Sequence, residues 1–430
     1  VARRIAIISE HASPEGILGG VDQGGQNLYV AQVARHLRAL GHHVDIFTRR
    51  DDERKLEVEV LDRGIGLINV PAGPARWIPK EDLYQYMPQF TLYMLKFCKA
   101  QRKRYDLIHA NFWMSGLVAA DLKQILNIPF VITFHALGRV RRLYQGDQDL
   151  FPDVRFEVED RIVAEANQIV AECPQDRSDL ISFYEADSHR ITMVPCGFDP
   201  EEFQVQDREI ARQVIGVKPD IPTVLQLGRL VPRKGVDQAI RGFAHFVRRW
   251  KKDAQMLIVG GESEAPDPVL TPEIGRLQTI AAEEGIEDKV IFCGRKSRKE
   301  IVTYFSAADV FVSTPWYEPF GITPVEAMAC GKPVVGSRVG GIKYSVQDGR
   351  TGFLVPHDDP EAIGDRLSLL FEHPEDLLIM SQRARTRAYH YFTWQKVVEQ
   401  LSRMYENVIF EGMQSKSFHK QRAKSDFIRF

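Results

Sequence analysis

Short apolar runs alternate with longer amphipathic stretches along most of the chain. In the first half, the runs at 5–9, 44–48, 67–70, 107–110, 130–134, 168–172 and 191–194 have the length and composition of buried strands, whereas 26–40, 83–98, 116–125 and 156–165 carry apolar residues at helical spacing. The second half starts the pattern again, with strands at 223–227, 255–259, 290–292, 310–313 and 334–337 and helices at 238–250, 273–284, 299–306, 324–330 and 360–371. Strand followed by helix, repeated in this way, predicts a parallel sheet covered on both faces. Two such arrays in tandem predict an α/β chain of two doubly wound, Rossmann-like domains whose strand carboxyl ends face a central cleft.

Length supports the division, because 430 residues that are 44% hydrophobic exceed one ordinary core. Turn-rich segments at 195–200 and 218–219 flank a weak helical stretch at 208–214, which places the domains at 1–205 and 206–392. A last amphipathic helix follows Trp394 within 393–412, and the basic, apolar-poor residues 413–430 read as a flexible tail that need not fold. A formal net charge of -2 gives no electrostatic reason to expect nucleic acid or a membrane as partner. Cys98, Cys173, Cys196, Cys293 and Cys330 are an odd, scattered set, which fits a reducing compartment and offers no zinc spacing. The apolar run after Arg3 stops at Glu10 and His11, too early for a signal peptide, and no run reaches membrane-spanning length. A soluble, cytoplasmic protein is the expectation.

The densest chemistry lies in Thr314-Pro-Trp-Tyr-Glu318-Pro-Phe-Gly321-Ile-Thr-Pro-Val-Glu326. Pro315 and Pro319 forbid the preceding strand from continuing, so the turn sits at a strand's carboxyl end, where open α/β sheets bind ligands. Glu318 can accept from sugar hydroxyls. The amides of Phe320, Gly321 and Ile322 open a helix and point N–H groups at an anion or hydroxyl, and Glu326, about two turns on, reaches toward a ribose diol. Earlier, Gly228-Arg229-Leu-Val-Pro-Arg-Lys234-Gly235 follows the first strand of the second half. Arg229 offers a bidentate fork and Lys234 a point charge for a diphosphate leaving group.

Gly24 and Gly25 close a glycine-rich loop ahead of the first long helix, read either as a close approach to a bound group or as a plain tight turn. His109 and His135 end two strands, and either can face the cleft as a hydrogen-bond partner. Arg139 and Arg142 follow His135 at once and suit a phosphorylated acceptor or, equally, a solvated helix face. No Asp-x-Asp after a strand, His-Glu-x-x-His or cysteine pair appears, so metal-independent catalysis is expected.

In order, Gly24-Gly25-Gln26, the segment from His109 to Gly116, Phe134-His135-Ala-Leu-Gly138, Gly228-Arg229 with Lys234-Gly235, and Glu318-Pro-Phe-Gly321 with Glu326 resemble the motifs of the retaining GT-B glycosyltransferases of family 4, group 1. That family includes sucrose-phosphate synthases, sucrose synthases, mannosylfructose-phosphate synthases and inositol-phosphate N-acetylglucosaminyltransferases. The resemblance spans about residues 1–410. It implies a nucleotide-sugar donor as co-substrate with no cofactor, Gly24 and Gly25 near the sugar diphosphate and the acceptor, and His135 on the transferred sugar. It further implies Arg229 and Lys234 on the diphosphate, Glu318 with Phe320, Gly321 and Ile322 on the sugar and phosphates, and Glu326 on the ribose. The catalytic set is then His135, Arg229, Lys234 and Glu318, and the acceptor set is Gln26, His109, Arg139 and Arg142. UDP-glucose and fructose 6-phosphate are the expected substrates. Inositol phosphate, a lipid or a polysaccharide is the alternative acceptor; the lipid or glycan case, with peripheral membrane contact, predicts an exposed patch of Trp77, Tyr84 and Tyr86 beside Arg76 and Lys80.

Overall fold

The computed structural model describes residues 2–15 and 24–427, except the side chains of Arg63 and of 415–427. In the first sheet, β1 (Arg4–Ile8), β2 (His43–Arg49), β3 (Val58–Leu61), β4 (Ile65–Val70), β5 (Leu107–Asn111), β6 (Phe130–Thr133), β7 (Gln168–Ala171) and β8 (Ile191–Met193) lie in the order β3-β4-β2-β1-β5-β6-β7-β8. Every pairing is parallel except β3 with β4. The second sheet is wholly parallel: β9 (Thr223–Leu227), β10 (Gln255–Val259), β11 (Val290–Gly294), β12 (Val310–Ser313), β13 (Val334–Ser337) and β14 (Gly352–Val355), in the order β11-β10-β9-β12-β13-β14. Strand order reverses between β1 and β5 and again between β9 and β12. Those are the two places where parallel α/β sheets open a crevice at their carboxyl ends.

Burial on both faces explains the short, unbroken apolar runs. Along β1, Ile5 and Ile7 enter one core while Ala6 and Ile8 enter the other, and along β12 Val310 and Val312 face away from Phe311. One core is shared by the two domains, since it contains Ile5 and Tyr29 from the first, Leu225 and Phe311 from the second, and Phe198, Phe392 and Trp394 from the segments between them. The chain crosses itself there: Phe198 donates to the Phe392 carbonyl at 2.8 Å, and Trp394 donates back to the Phe198 carbonyl at 3.0 Å.

Trp394–Phe427 is one helix, so residues 413–427, read above as a tail, continue it; 428–430 lie outside the described residues. It packs on the first domain, where the Tyr405 hydroxyl and His109 Nδ1 share a hydrogen bond at 2.6 Å and Glu406 pairs with Arg3 at 2.6 Å. Among the described residues, no helix is long and apolar enough to cross a membrane.

Candidate functional site

Two loops of the second domain are built against each other. After β9 the chain turns through Gly228 to Arg229 and a tight turn at Pro232–Lys234, and after β12 it runs from Thr314 to Gly321. Gly235, in the left-handed region at φ +61°, sits so close to the Thr314 carbonyl that a Cβ would overlap it, while the Thr314 hydroxyl donates to the Gly235 carbonyl at 2.7 Å. Trp316 N–H donates to the Arg233 carbonyl at 3.0 Å. Gly340 and Gly341 press on the backbone of Glu318 and Phe320 from the other side, where any Cβ would collide. The consequence is a fixed meeting of Lys234 Nζ with the Glu318 carboxylate. Burial raises the Glu318 pKa, but Lys234 and Arg233 outweigh it and hold the carboxyl below its ordinary value. Burial pulls Lys234 below its ordinary value, Glu318 opposes this, and Arg233 and Arg229 add to it.

Gly321, at φ +87°, caps Ile322–Ala329, a helix N-terminus that no side chain caps. Glu326 on that helix is 1% exposed, and burial raises its pKa against the pull of Arg298. Arg298 Nη1 donates to Glu326 at 2.6 Å and Nη2 to Glu202 at 2.8 Å. Sequence reasoning missed both Arg298 and Glu202: they lie 28 and 124 positions from Glu326, and no local spacing links them.

Across the cleft, Gly25 opens the helix Gly25–Ala39 and faces Ile322, whose Cδ1 lies 3.5 Å from where a Gly25 Cβ would stand. Gly24 N–H donates to Asn27 Oδ1 at 2.9 Å; residues 19–23 of the glycine-rich loop lie outside the described residues. Gln26 donates to Ser9 Oγ at 3.1 Å, bridging toward the end of β1. His135 adopts φ +59°, with Nδ1 3.2 Å from Glu172 and Nε2 3.0 Å from Asn111 Oδ1. Phe112, just after β5, is also at positive φ (79°). Two side-chain-bearing residues are thus held in a region that L residues avoid, both just past strand ends and both lining one cleft, the kind of place where such backbone strain gathers.

The cleft between the loops encloses about 370 Å³ and is lined by Gly24, Gly25, Gln26, His135, Arg229, Lys234, Glu318, Phe320, Gly321, Ile322 and Glu326 together. Its described lining carries eight Lys or Arg residues against three Glu, a balance suited to an anion. Three of the acceptor candidates stand elsewhere. His109 is fully buried, bonded to Thr133 Oγ1 at 2.8 Å and to Tyr405, and does not reach the cleft. Arg139 is forked onto Asp160 at 2.7 Å and lies over the Tyr184 ring, and Arg142 pairs with Asp153 at 3.0 Å. The cations that do line the first-domain side are Lys80 and Arg141, with His11 beside them. Arg141 was hidden because the helix Gly138–Gln145 turns it, rather than Arg139 or Arg142, toward the cleft. Of the aromatic patch expected for a lipid or glycan acceptor, Trp77 is exposed, while Tyr84 and Tyr86 are half-buried, Tyr84 stacked on Trp113 at 5.4 Å and Tyr86 packed on the core. Among the described residues, no three His, Cys, Asp or Glu side chains are grouped to hold a metal ion.

Residues 207–387 match the family described as glycosyl transferases group 1, and residues 23–202 match glycosyltransferase family 4. The D-inositol 3-phosphate glycosyltransferase of Corynebacterium glutamicum (strain R) is 34% identical over 94% of this chain and 97% of its own length. That of Acidothermus cellulolyticus is 34% identical over 95% and 91%. Among solved structures, the sucrose-phosphate synthase of Thermosynechococcus elongatus superimposes with a TM-score of 0.86 at 32% identity, covering 95% of this chain and all of that one (100%). Anabaena HepE, in complex with UDP and glucose, shares the fold with a TM-score of 0.73 at 21% identity, over 94% and 100%.

Proposed function

Because this chain belongs to the group 1, family 4 glycosyltransferases of the GT-B fold, we propose that it moves a hexose from a nucleotide sugar, UDP-glucose before others, to a small phosphorylated polyol, with retention at the anomeric carbon. Fructose 6-phosphate is the leading acceptor and an inositol phosphate the second. The names of its relatives favour both, since each describes chemistry on a small phosphorylated polyol or its product.

The observation that carries the reading is the meeting of the β9 and β12 loops, which sets Lys234, Arg233 and Glu318 in one cation-rich cleft opposite His135 and Gly25. Arg229 and Lys234 hold the diphosphate. Glu318 binds sugar hydroxyls with the amides at the Ile322–Ala329 helix start, and Glu326, oriented by Arg298, takes the ribose. His135 contacts the hexose. Lys80, Arg141, Gln26 and His11 form the acceptor side. In the transfer, the bond from the anomeric carbon to the phosphate oxygen breaks, the acceptor oxygen bonds to the same face, and the acceptor proton passes to the departing phosphate. Negative charge grows on the diphosphate, where fixed cations stabilise it more than they stabilise the ground state. Side chains supply that charge, so transfer proceeds without a divalent ion. The five cysteines, all unpaired, fit a cytoplasmic setting.

The test is release of nucleoside diphosphate from UDP-, ADP- and GDP-glucose and from UDP-N-acetylglucosamine in EDTA, with and without fructose 6-phosphate or D-inositol 3-phosphate. Acceptor-dependent release with a new phosphorylated glycoside is the expected result. No acceptor-dependent release from any donor overturns the assignment to small phosphorylated acceptors.

A further inference from the structure

Glu10 is a carboxylate with no exposed surface at the end of β1 and no Lys or Arg partner among the described residues. Burying a carboxylate without a cation is unfavourable unless its oxygens are otherwise satisfied. Here both are. Ser115, in the first turn of the helix Trp113–Leu126, donates its hydroxyl to Oε2 and accepts the Glu10 N–H at 3.2 Å, so that one side chain grips the residue twice. Oε1 lies 2.7 Å from His11 Nδ1. His11 lines the cleft with its side chain 11% exposed and stands edge-on to the positive-φ Phe112 at 4.9 Å. Among the described residues, its Nε2 has no partner.

We propose that Glu10 is a positioning residue for the acceptor: gripped by Ser115, its carboxylate holds His11 as the Nδ1–H tautomer, so that Nε2 presents a lone pair to an acceptor hydroxyl. The proposal rests on the transfer reading given above and adds to it the group that sets the orientation of an acceptor contact. With Nδ1 committed to a carboxylate, the imidazole can neither flip nor exchange tautomers without breaking a buried hydrogen bond. An apolar side chain at position 10 would fill the same space and leave both tautomers open.

Two measurements test it. In protein carrying ¹⁵N-labelled histidine, with the His11 signals assigned by their loss in His11→Gln, neutral His11 shows a protonated Nδ1 and an unprotonated Nε2, and Glu10→Met shifts it to a mixture. An Nε2–H tautomer in the wild type overturns the proposal. Kinetically, with whichever of fructose 6-phosphate and D-inositol 3-phosphate the wild type uses, Glu10→Met raises the acceptor KM about tenfold, the worth of one misdirected hydrogen bond, and leaves the UDP-glucose KM within about twofold. An unchanged acceptor KM in a folded variant, or equal rises in both KM values, overturns it. Should Glu10→Met fail to fold, Ser115→Ala loosens the same grip and carries the same split between the two KM values. A wild type that transfers while the variants match it sinks this inference alone; a wild type that transfers to neither acceptor sinks the acceptor reading and this inference with it.

Discussion

Lys234 and Glu318 each stand below their ordinary pKa: burial drives the lysine's fall, with Arg233 and Arg229 adding to it, whereas Lys234 and Arg233 hold the Glu318 carboxyl down against burial. On the transfer reading proposed above, Lys234 faces a diphosphate whose negative charge grows as the bond to the anomeric carbon breaks. Lys234→Ala is therefore expected to lower kcat by about a hundredfold or more while the protein keeps its fold, read as single-turnover rate beside the thermal midpoint. A loss confined to KM would assign Lys234 to ground-state binding instead. His109 makes a different prediction. Burial pushes its pKa down to about 3, with His135 adding to the effect, so folded protein keeps it neutral where the unfolded chain takes up a proton. The sign is that of a group destabilised by acid: stability falls as pH drops from about 6.5 toward 3, by at most about 1.4 kcal/mol per unit from this residue. Denaturant unfolding across that range should show a shallower slope for His109→Gln, and an equal slope would place the acid sensitivity elsewhere.

At the scale of elements, the donor half depends on loops pressed together where no Cβ fits. Gly235→Ala must adopt φ +61° and push aside the Thr314 carbonyl, so a loss of about 1–3 kcal/mol and a weaker affinity for UDP are expected together, by thermal unfolding and calorimetry. Stability lost with UDP affinity intact would separate the loop contact from the site. These loops were legible because Pro, Gly and paired charges mark them in the chain. The glycines that brace them from behind, Gly340 and Gly341, were not, since a close backbone approach leaves no sign when only one partner is in view. Among the longer helices, two escaped for a related reason. Pro374–Tyr391 buries only Met380, Ala384 and Ala388, a stripe too narrow to register as periodicity, and Pro174–Tyr184 buries only Leu180 and Tyr184. The strand Val58–Leu61 is a half-exposed edge paired antiparallel, without the apolar run that revealed most of the buried parallel strands; Gly352–Val355, though parallel and largely buried, was missed as well, its run being four residues that begin on a glycine. Of the cleft's lining, the residues flanked by turn motifs were legible in the chain, whereas Arg298 meets Glu202 and Glu326 only when distant elements pack, and Arg141 is set apart from Arg139 and Arg142 only by the phase of its helix.

At the scale of the whole molecule, both domains share one core through the crossing at Phe198 and Trp394, and the last helix seals the first domain. Gly197 is squeezed against the backbone of Phe392 and Trp394, 2.9 Å from where its Cβ would lie, so a side chain there would pry the crossing apart. Tyr405→Phe removes the hydroxyl that satisfies His109 and should cost about 1–3 kcal/mol of stability, with nucleotide affinity in the second domain unchanged. A fall in that affinity would show the last helix acting on the donor half as well. The same crossing orders events during synthesis. Translation delivers β1–β8 some 200 residues ahead of the helix whose Trp394, Tyr405 and Val408 complete their core, so on the ribosome the earlier half is made with that apolar face still uncovered. The half made first is the one finished last.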